Sequence, residues 1–228
     1  MPKTRPTRRT PDGLWIEGYP DAVKAVVIDG PLVRQLSHLT LHATDLRAAL
    51  ECVTELQAHP QTSTVARESL WESAIVRLFK CFGTSQSRAQ LSPTKIFPEG
   101  LPRQVFRYFK SLRDKHLVHD ENAYTQVIPA AVIGPETSAE HVQDIICSVV
   151  TGVTLTEANL SNLRLLIETA LQWVEPKADE VRAKIKAELE DEDYPSLITR
   201  PQAQFTVPTL EQLHQPRRDS AQRRNRRR

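Results

Sequence analysis

The chain has 228 residues, of which 39% are hydrophobic and 25% charged, and this size predicts one domain with extensions or at most two small domains. Its three cysteines are widely spaced and form no CxxC pair, which argues against a disulfide framework or a zinc cluster and indicates a reducing compartment. No stretch approaches the ~18 apolar residues of a membrane helix, and no apolar segment follows the basic N-terminus, so we expect a cytoplasmic protein without membrane contact.

The net charge of +2 is distributed very unevenly along the chain. Residues 1–9 contribute +4 and residues 217–228 contribute +6, which leaves −8 for residues 10–216. An acidic body with basic ends is not the distribution of a folded surface that binds nucleic acid broadly. The basic ends remain suitable as tethers to a polyanion.

The N-terminal part of the chain predicts an extension followed by a long helix. We expect residues 1–28 to form a basic, largely disordered extension, because the segment begins with a run rich in Pro, Thr and Arg. Apolar residues then recur at three- and four-residue steps from about residue 29 to residue 57, which predicts the first amphipathic helix. Pro31 marks its start, since proline is tolerated in the first turn of a helix.

Two further helices follow in the first half of the chain. The second is predicted to begin at Ser63 or Thr64, which can act as the N-cap, and to end at Gly83. Residues 84–101 are polar and contain two prolines, so we expect a loop. The third helix begins at Leu101 and carries aromatic residues on one face.

The hydrophobic period then changes from that of a helix to that of a strand. Residues 124–133 and 145–153 are β-branched runs separated by a Gly-Pro-Glu-Thr sequence, which predicts a small hairpin with a wide turn. An alternative interpretation makes residues 138–150 a short helix.

A last long helix is predicted after the hairpin. Thr154 and Glu157 have the spacing of a capping box, and a clear helical stripe follows them. Pro176 is expected to kink or interrupt this helix, which then extends toward the acidic run at 188–193. Residues 193–228 are rich in Pro and Arg, and we expect them to be a disordered tail.

These elements together predict a mostly α-helical protein. Four long amphipathic helices must bury their apolar stripes against one another, which implies a bundle of four or more helices. We expect it to span residues 29–192, with the hairpin inserted before the last long helix.

The residues 111–122, SLRDKHLVHDEN, combine the side chains needed for phosphodiester chemistry. Arg113 is permanently charged and can bind two phosphate oxygens as a fork. His116 and His119 titrate near neutrality, so either can take a proton from a ribose 2′-hydroxyl or give one to the leaving 5′-oxygen. These residue types predict cleavage of RNA without a metal ion.

The spacing of these residues constrains the site. Arg113 and His119 lie six residues apart, about 240° around an unbroken helix, so they share one site only if the helix loosens near 116–119 or if two subunits contribute. His116 shares the face of Arg113 without distortion, and Asp120 is placed to orient the His116 ring. A non-catalytic interpretation also stays open, in which Arg113 and His119 favour the helix C-terminal dipole and pair with Asp114 and Asp120.

The sequence RDKHLVHD resembles the R-x(4–6)-H motif of HEPN domains, in the form seen in bacterial abortive-infection relatives. The resemblance implies an α-helical bundle that dimerises so that two motifs face one cleft. It also implies a metal-independent endoribonuclease that needs no cofactor, acting in antiphage defence or in a toxin–antitoxin system with an antitoxin or another regulatory protein. By this match Arg113 and His119 take the catalytic roles, and Asp114, where the family usually has a polar residue, takes a supporting one.

Two histidine pairs also have the spacing of metal ligands. His116 and His119 with Asp120 could ligate a metal ion, but no second cluster of ligands accompanies them. His38 and His42 lie one helical turn apart, a spacing that more often lines a polar helix face. We therefore predict no metal site.

The arginine-rich tail is a second candidate for nucleic-acid binding. Its arginines are Arg217, Arg218, Arg223, Arg224, Arg226, Arg227 and Arg228. They can contact several phosphates, so binding should weaken steeply with salt, although a solubilising or partner-binding tail would look the same. Two functions follow: a HEPN-type endoribonuclease, or a non-catalytic helical interaction protein that binds nucleic acid or a partner through this tail.

Overall fold

The computed structural model describes residues 7–10, 13–16, 18–19, 21–85, 88–117, 119, 123–137, 139–203 and 209–213. Over these residues the protein is mostly helical, with a small antiparallel two-stranded sheet before the last long helix, so the predicted fold class is confirmed. The helices are α1 (Pro31–Ala58), α2 (Thr64–Lys80), α3 (Pro93–Ile96), α4 (Leu101–Leu112), α5 (Glu157–Glu190), α6 (Tyr194–Thr199) and α7 (Leu210–Leu213). The strands are β1 (Thr7–Thr10), β2 (Gly13–Ile16), β3 (Thr125–Ile133) and β4 (Val142–Thr151).

The helix boundaries follow from capping chemistry in the sequence. Helix α1 begins at Pro31 directly after Gly30, whose φ of +124° belongs to the region that favours glycine. At the start of α2, the Ser63 hydroxyl accepts a hydrogen bond from the Ala66 N–H at 3.4 Å, which confirms Ser63 as the cap. None of the helices in the described part of the chain combines the length and apolar character needed to cross a membrane.

The chain divides into two compact units that each combine distant segments. Unit 1 contains Met1–Leu46, Cys81–Leu91 and Ala170–Arg228, and unit 2 contains Arg47–Lys80 and Ser92–Thr169. Helices α1 and α5 each contribute one part to unit 1 and the other part to unit 2.

Unit 1 is built on α1 and the second part of α5. Its buried apolar residues are Leu39, Ala43, Leu46, Cys81, Leu91, Ala170, Leu171, Val174, Ala178, Val181 and Ile185. The segment at 88–91 is tied to α1, because His42 Nε2 lies 2.8 Å from the Ala89 carbonyl oxygen and Arg88 pairs with Asp45 at 2.7 Å. His38 Nδ1 accepts the Ala89 N–H at 3.4 Å, so both histidines of the i, i+4 pair bind this segment.

Unit 2 contains an aromatic core between α2, α4 and the first part of α5. Its buried apolar residues are Ala49, Val53, Leu56, Trp71, Ala74, Ile75, Leu78, Phe79, Ile96, Phe97, Phe106, Phe109, Leu112, Leu160, Leu163, Leu166 and Ile167. Trp71 meets Phe109 edge to face at 5.8 Å, and Phe106 packs against Phe79 and Phe97 with both centroid distances 5.1 Å. Trp71 also donates its indole N–H to the buried Thr154 hydroxyl at 3.0 Å.

Three local expectations need correction. Pro176 does not interrupt α5, which is continuous from Glu157 to Glu190, because buried residues on both sides of the proline keep the helix packed. The cap of α5 is Thr156, whose hydroxyl accepts the Asn159 N–H at 3.2 Å, since Thr154 is already occupied by Trp71. The helical interpretation of 138–150 is wrong, because this β-branched segment forms strand β4.

Short elements also lie within the two segments that the sequence predicts to be disordered. Strand β1 pairs with β2 antiparallel, and α6 follows α5 within the predicted tail. Beyond α6, Val27 N–H donates to the Pro201 carbonyl at 2.7 Å and Ala203 N–H donates to the Ala25 carbonyl at 2.8 Å. The N-terminal and C-terminal segments of unit 1 are therefore joined through a short antiparallel contact.

Candidate active site

Helix α4 carries the candidate motif at its C-terminal end. The helix starts after Gly100, whose φ is +100°, and its buried face is formed by Phe106, Phe109 and Leu112. Because this face is held in the aromatic core, the residues that follow Leu112 emerge at a defined place on unit 2.

The helix changes its geometry at the first residue of the motif. Arg113–Leu117 form a π-helical turn, which we call the π-turn, and it contacts α2. His119, the next described residue, is not helical. A π-turn is rare and is found frequently at functional sites. The turn overlaps the 116–119 region, where a shared site for Arg113 and His119 requires the helix to loosen, at residues 116 and 117.

Asp114 is held between two cations. Lys110 binds one carboxylate oxygen, and Arg113 Nη1 donates to the other at 2.5 Å. Burial acts to raise the pKa of Asp114, but the hydrogen bonds and charges of Lys110 and Arg113 outweigh it, and the net pKa is lowered. Asp114 is therefore an ionised acceptor that fixes the guanidinium, and its chemistry does not suit proton donation.

Two nitrogen atoms of the π-turn are buried without a partner. Arg113 Nε and His116 Nδ1 have no hydrogen-bond partner among the described residues. Buried polar atoms in proteins are nearly always hydrogen-bonded, and an unsatisfied one costs about 1–3 kcal/mol. The described residues contain one further buried nitrogen without a hydrogen-bond partner, His42 Nδ1 in unit 1, so two of the three lie in the segment that the sequence singles out for chemistry.

His116 is positioned by residues outside the motif. Its ring lies against the ring of Tyr124, with centroids 5.6 Å apart and planes at 49°. Tyr124 hydrogen-bonds with Tyr108, whose hydroxyl accepts the Asn159 side-chain N–H at 3.1 Å. Burial raises the pKa of the Tyr108 phenol and Tyr124 adds to this effect, while the Asn159 hydrogen bond opposes it. A polar chain thus joins the His116 ring to the start of α5.

The structure shows contacts for three of the predicted site residues. Arg113 and Asp114 are in direct contact, whereas His116 contacts Tyr124 instead. His119 is exposed and makes no hydrogen bond or ion pair with another described residue. Asp120 and the seven arginines of the tail lie outside the described residues.

Sequence reasoning missed three residues that shape this site. Lys110 lies four residues before Asp114, an ion-pair spacing that could have been recognised in the sequence. Tyr108 and Tyr124 gave no such signal. Tyr124 contacts both Tyr108 and His116, and these contacts join residues that have no regular spacing in the sequence.

His116 and His119 also have the spacing of metal ligands. Within the described ranges, no three His, Cys, Asp or Glu side chains are grouped so as to hold a metal ion. Comparison of the chain with protein-family models, curated proteins and solved structures finds no match.

Proposed function

We propose that this protein is a metal-independent endoribonuclease of the HEPN type, with its site at the π-turn. The observation that carries the proposal is the pair of buried, unsatisfied nitrogens on Arg113 and His116 inside a loosened helix end. Two of the three such nitrogens in the described residues lie in this turn, and a bound ligand is one way in which they become satisfied. The resemblance of RDKHLVHD to the HEPN motif supports the same residues.

The charges of the site suit binding of a phosphodiester. Lys110, Arg113 and Asp114 carry two positive charges and one negative charge, so the cluster keeps a net charge of +1. Asp114 holds one edge of the guanidinium through Nη1, and 35% of the Arg113 side chain is exposed. Because Nε is buried and Nη1 donates to Asp114, Nη2 is the group left to bind an incoming phosphate and the charge that develops in the transition state.

A histidine supplies the proton transfers in this proposal. A neutral imidazole takes the proton of the ribose 2′-hydroxyl, the 2′-oxygen attacks phosphorus, and the bond to the 5′-oxygen breaks as that oxygen receives a proton. The products are a 2′,3′-cyclic phosphate and a 5′-hydroxyl. His119 is the proposed acid–base group because it is exposed, and His116, packed on Tyr124, is the alternative.

The proposal includes the substrate, oligomeric state, location and partner protein that the HEPN resemblance implies. These are RNA as substrate, a homodimer in which two motifs share a cleft, a cytoplasmic location, and an antitoxin or regulatory protein as partner. A role in antiphage defence or in a toxin–antitoxin system belongs to the same proposal, and a defence or antitoxin gene beside this one would support it.

RNA cleavage in excess EDTA tests the proposal. Wild type should release fragments with 2′,3′-cyclic phosphate ends, and Arg113→Ala and His119→Ala should each lower the rate by ~10²-fold or more. Matched controls are Arg107→Ala, an exposed arginine of the same helix, and His59→Ala, an exposed histidine near the end of α1. Both controls should cleave at the wild-type rate.

His116→Ala distinguishes the two candidate acid–base groups. If His119 transfers the protons, His116→Ala keeps much of the activity, and if His116 does so, the order of the two variants reverses. Equal background cleavage by wild type and by the Arg113 and His119 variants would refute the nuclease proposal.

The second candidate is a non-catalytic helical interaction protein that binds nucleic acid or a partner through its tail. The concentration of seven arginines in residues 217–228 favours it. Deletion of this segment should then remove all RNA binding. Under the nuclease proposal the deletion instead weakens RNA retention and spares cleavage of a short oligonucleotide.

A further inference from the structure

The hairpin β3–β4 has two chemically different faces. Opposed residues of an antiparallel pair point to the same side, and successive pairs alternate between sides. The pairs Val127–Val149, Pro129–Cys147 and Ala131–Ile145 therefore share one side, which we call the apolar face. The other side carries Gln126, Asp144 and Ser148 among apolar residues, of which Ile128, Ile146 and Val150 are also exposed.

The apolar face is open to solvent. Val127, Ile145 and Val149 are 58%, 68% and 64% exposed, and the other three residues of the face are also exposed. Within the described part of the chain, β3 and β4 pair only with each other, and no third strand extends the sheet. An isolated two-stranded hairpin is at best marginally stable in water, so an extended hairpin with an uncovered apolar face indicates a missing contact.

The apolar area of the face is close to the apolar area that one partner contributes to a standard protein–protein interface. Its six residues expose roughly 500 Å², near the upper end of the largest apolar patch of a typical monomer. A standard interface buries about 800 Å² per partner, and roughly 60% of that is apolar. The face thus supplies about the apolar area that one partner contributes.

The chemistry of the face determines which occupant fits. It carries no charged residue, so it offers nothing to a nucleic acid or to a charged peptide. It consists of β-branched and small side chains, the composition of the inner face of a β-sandwich, where two similar sheets pack about 10 Å apart. A surface of this kind is complementary to itself, and a two-fold interface places the same surface on both partners.

We propose that the apolar face is a homodimer interface, in which the hairpins of two copies pack face to face. The ribonuclease proposal also includes a homodimer, whereas the interface proposed here is inferred from the hairpin alone. This interface also gives a role to β3 and β4, whose β-branched side chains are exposed rather than buried against the helices.

Two neighbouring valines provide a matched test. Val149 lies on the apolar face, whereas Val150, 55% exposed on the same strand, points to the other side. Analytical ultracentrifugation of the full chain should show a dimer for wild type and for Val150→Glu. Val149→Glu should raise the dissociation constant by at least ~100-fold, because it places an unpaired carboxylate in the interface. Circular dichroism should show unchanged helix content in both variants.

Cysteine crosslinking gives a second readout that needs no change in stability. Cys147 is exposed on the apolar face, whereas Cys52 is half-buried and Cys81 is buried. A short bis-maleimide should join two wild-type chains, and Cys147→Ser should abolish the product.

Three outcomes would overturn the inference. The first is a wild-type monomer at tens of micromolar, roughly the range of a weak dimer. If that monomer also floats with phosphatidylcholine vesicles, the face binds a membrane surface instead. Equal weakening by Val149→Glu and Val150→Glu would indicate pairing through a strand edge, and a crosslink that survives Cys147→Ser would place the contact elsewhere. A wild-type monomer would also remove the homodimer from the ribonuclease proposal, whereas RNA cleavage in excess EDTA tests the chemistry of that proposal separately.

Discussion

The buried ion pair between Asp45 and Arg88 offers a sharp test of how unit 1 is held together. Arg88 Nη1 lies 2.7 Å from Asp45 Oδ2, and the two side chains are only 8% and 9% exposed. The change Asp45→Asn keeps the shape of the side chain and one oxygen acceptor but removes the charge. Arg88 is then left as a buried cation without its carboxylate partner.

The expected loss is large for a single substitution. Removing one member of a buried ion pair costs about 3–5 kcal/mol, and we expect the lower end, about 3 kcal/mol, because asparagine still accepts a hydrogen bond. Domains are stable by only about 5–15 kcal/mol, so this is a substantial fraction. With an m-value of roughly 2–3 kcal/mol/M, the urea midpoint should fall by about 1–1.5 M.

Urea titration followed by circular dichroism measures this change. The matched control is Asp179→Asn, which breaks an exposed pair with Arg182 and should cost less than ~1 kcal/mol. The double variant Asp45→Leu with Arg88→Met should recover most of the loss, because it removes both charges from the interior. Equal effects of Asp45→Asn and Asp179→Asn would refute the reasoning.

Three further predictions concern other contacts. Burial lowers the pKa of His42 below 6.5, and the nearby Arg88 contributes, so the folded protein favours the neutral ring. The contribution of His42 to the free energy of unfolding is therefore complete above about pH 6.5, the unfolded pKa. It is lost as the pH falls toward the lowered pKa of the folded protein. His42→Gln, which keeps a side-chain N–H donor, should flatten the decrease in unfolding free energy measured between pH 7 and pH 5. Trp71→Phe should destabilise the protein by about 1–3 kcal/mol in thermal unfolding, because it leaves the buried Thr154 hydroxyl without its donor. If Trp71→Phe lowers the stability of a Thr154→Val variant by the same amount as that of the wild type, this hydrogen bond is not the cause. If His116 is the acid–base group, Tyr124→Leu should lower the cleavage rate about 10-fold or more with unchanged helix content, because the ring that positions His116 is lost. If His119 transfers the protons, Tyr124→Leu should cleave near the wild-type rate, and a loss of about 10-fold in Tyr124→Leu together with an active His116→Ala would contradict both assignments.

The helices could be predicted well because their signals are local. Apolar spacing and the early proline placed the first helix at about 29–57, and α1 is Pro31–Ala58. The same signals misjudged Pro176, since the local cost of a proline, about 3 kcal/mol, is offset by the burial of Val174 and Ala178 on either side. Whether a proline breaks a helix thus depends on packing that no local pattern records.

The candidate site was predictable only in its residue types. Arg113, His116 and His119 stand out by their chemistry and spacing, but the π-turn that carries the first two has no local signature that we recognised. The contact of His116 with Tyr124 joins residues eight positions apart, and the hydrogen bond from Asn159 to Tyr108 spans 51 positions.

The sequence by itself determined the four long helices, the β3–β4 hairpin and the uneven charge, because these depend on residue types and on neighbours within about one turn. Only the tertiary structure decided that Thr156 rather than Thr154 caps α5, that Arg88 is buried against Asp45, and that the apolar face of the hairpin stays uncovered. The physical reason is that burial and hydrogen-bond partners depend on which surfaces meet across distant parts of the chain. An apolar side chain alternating in a strand looks the same in the sequence whether its own chain or a partner covers it.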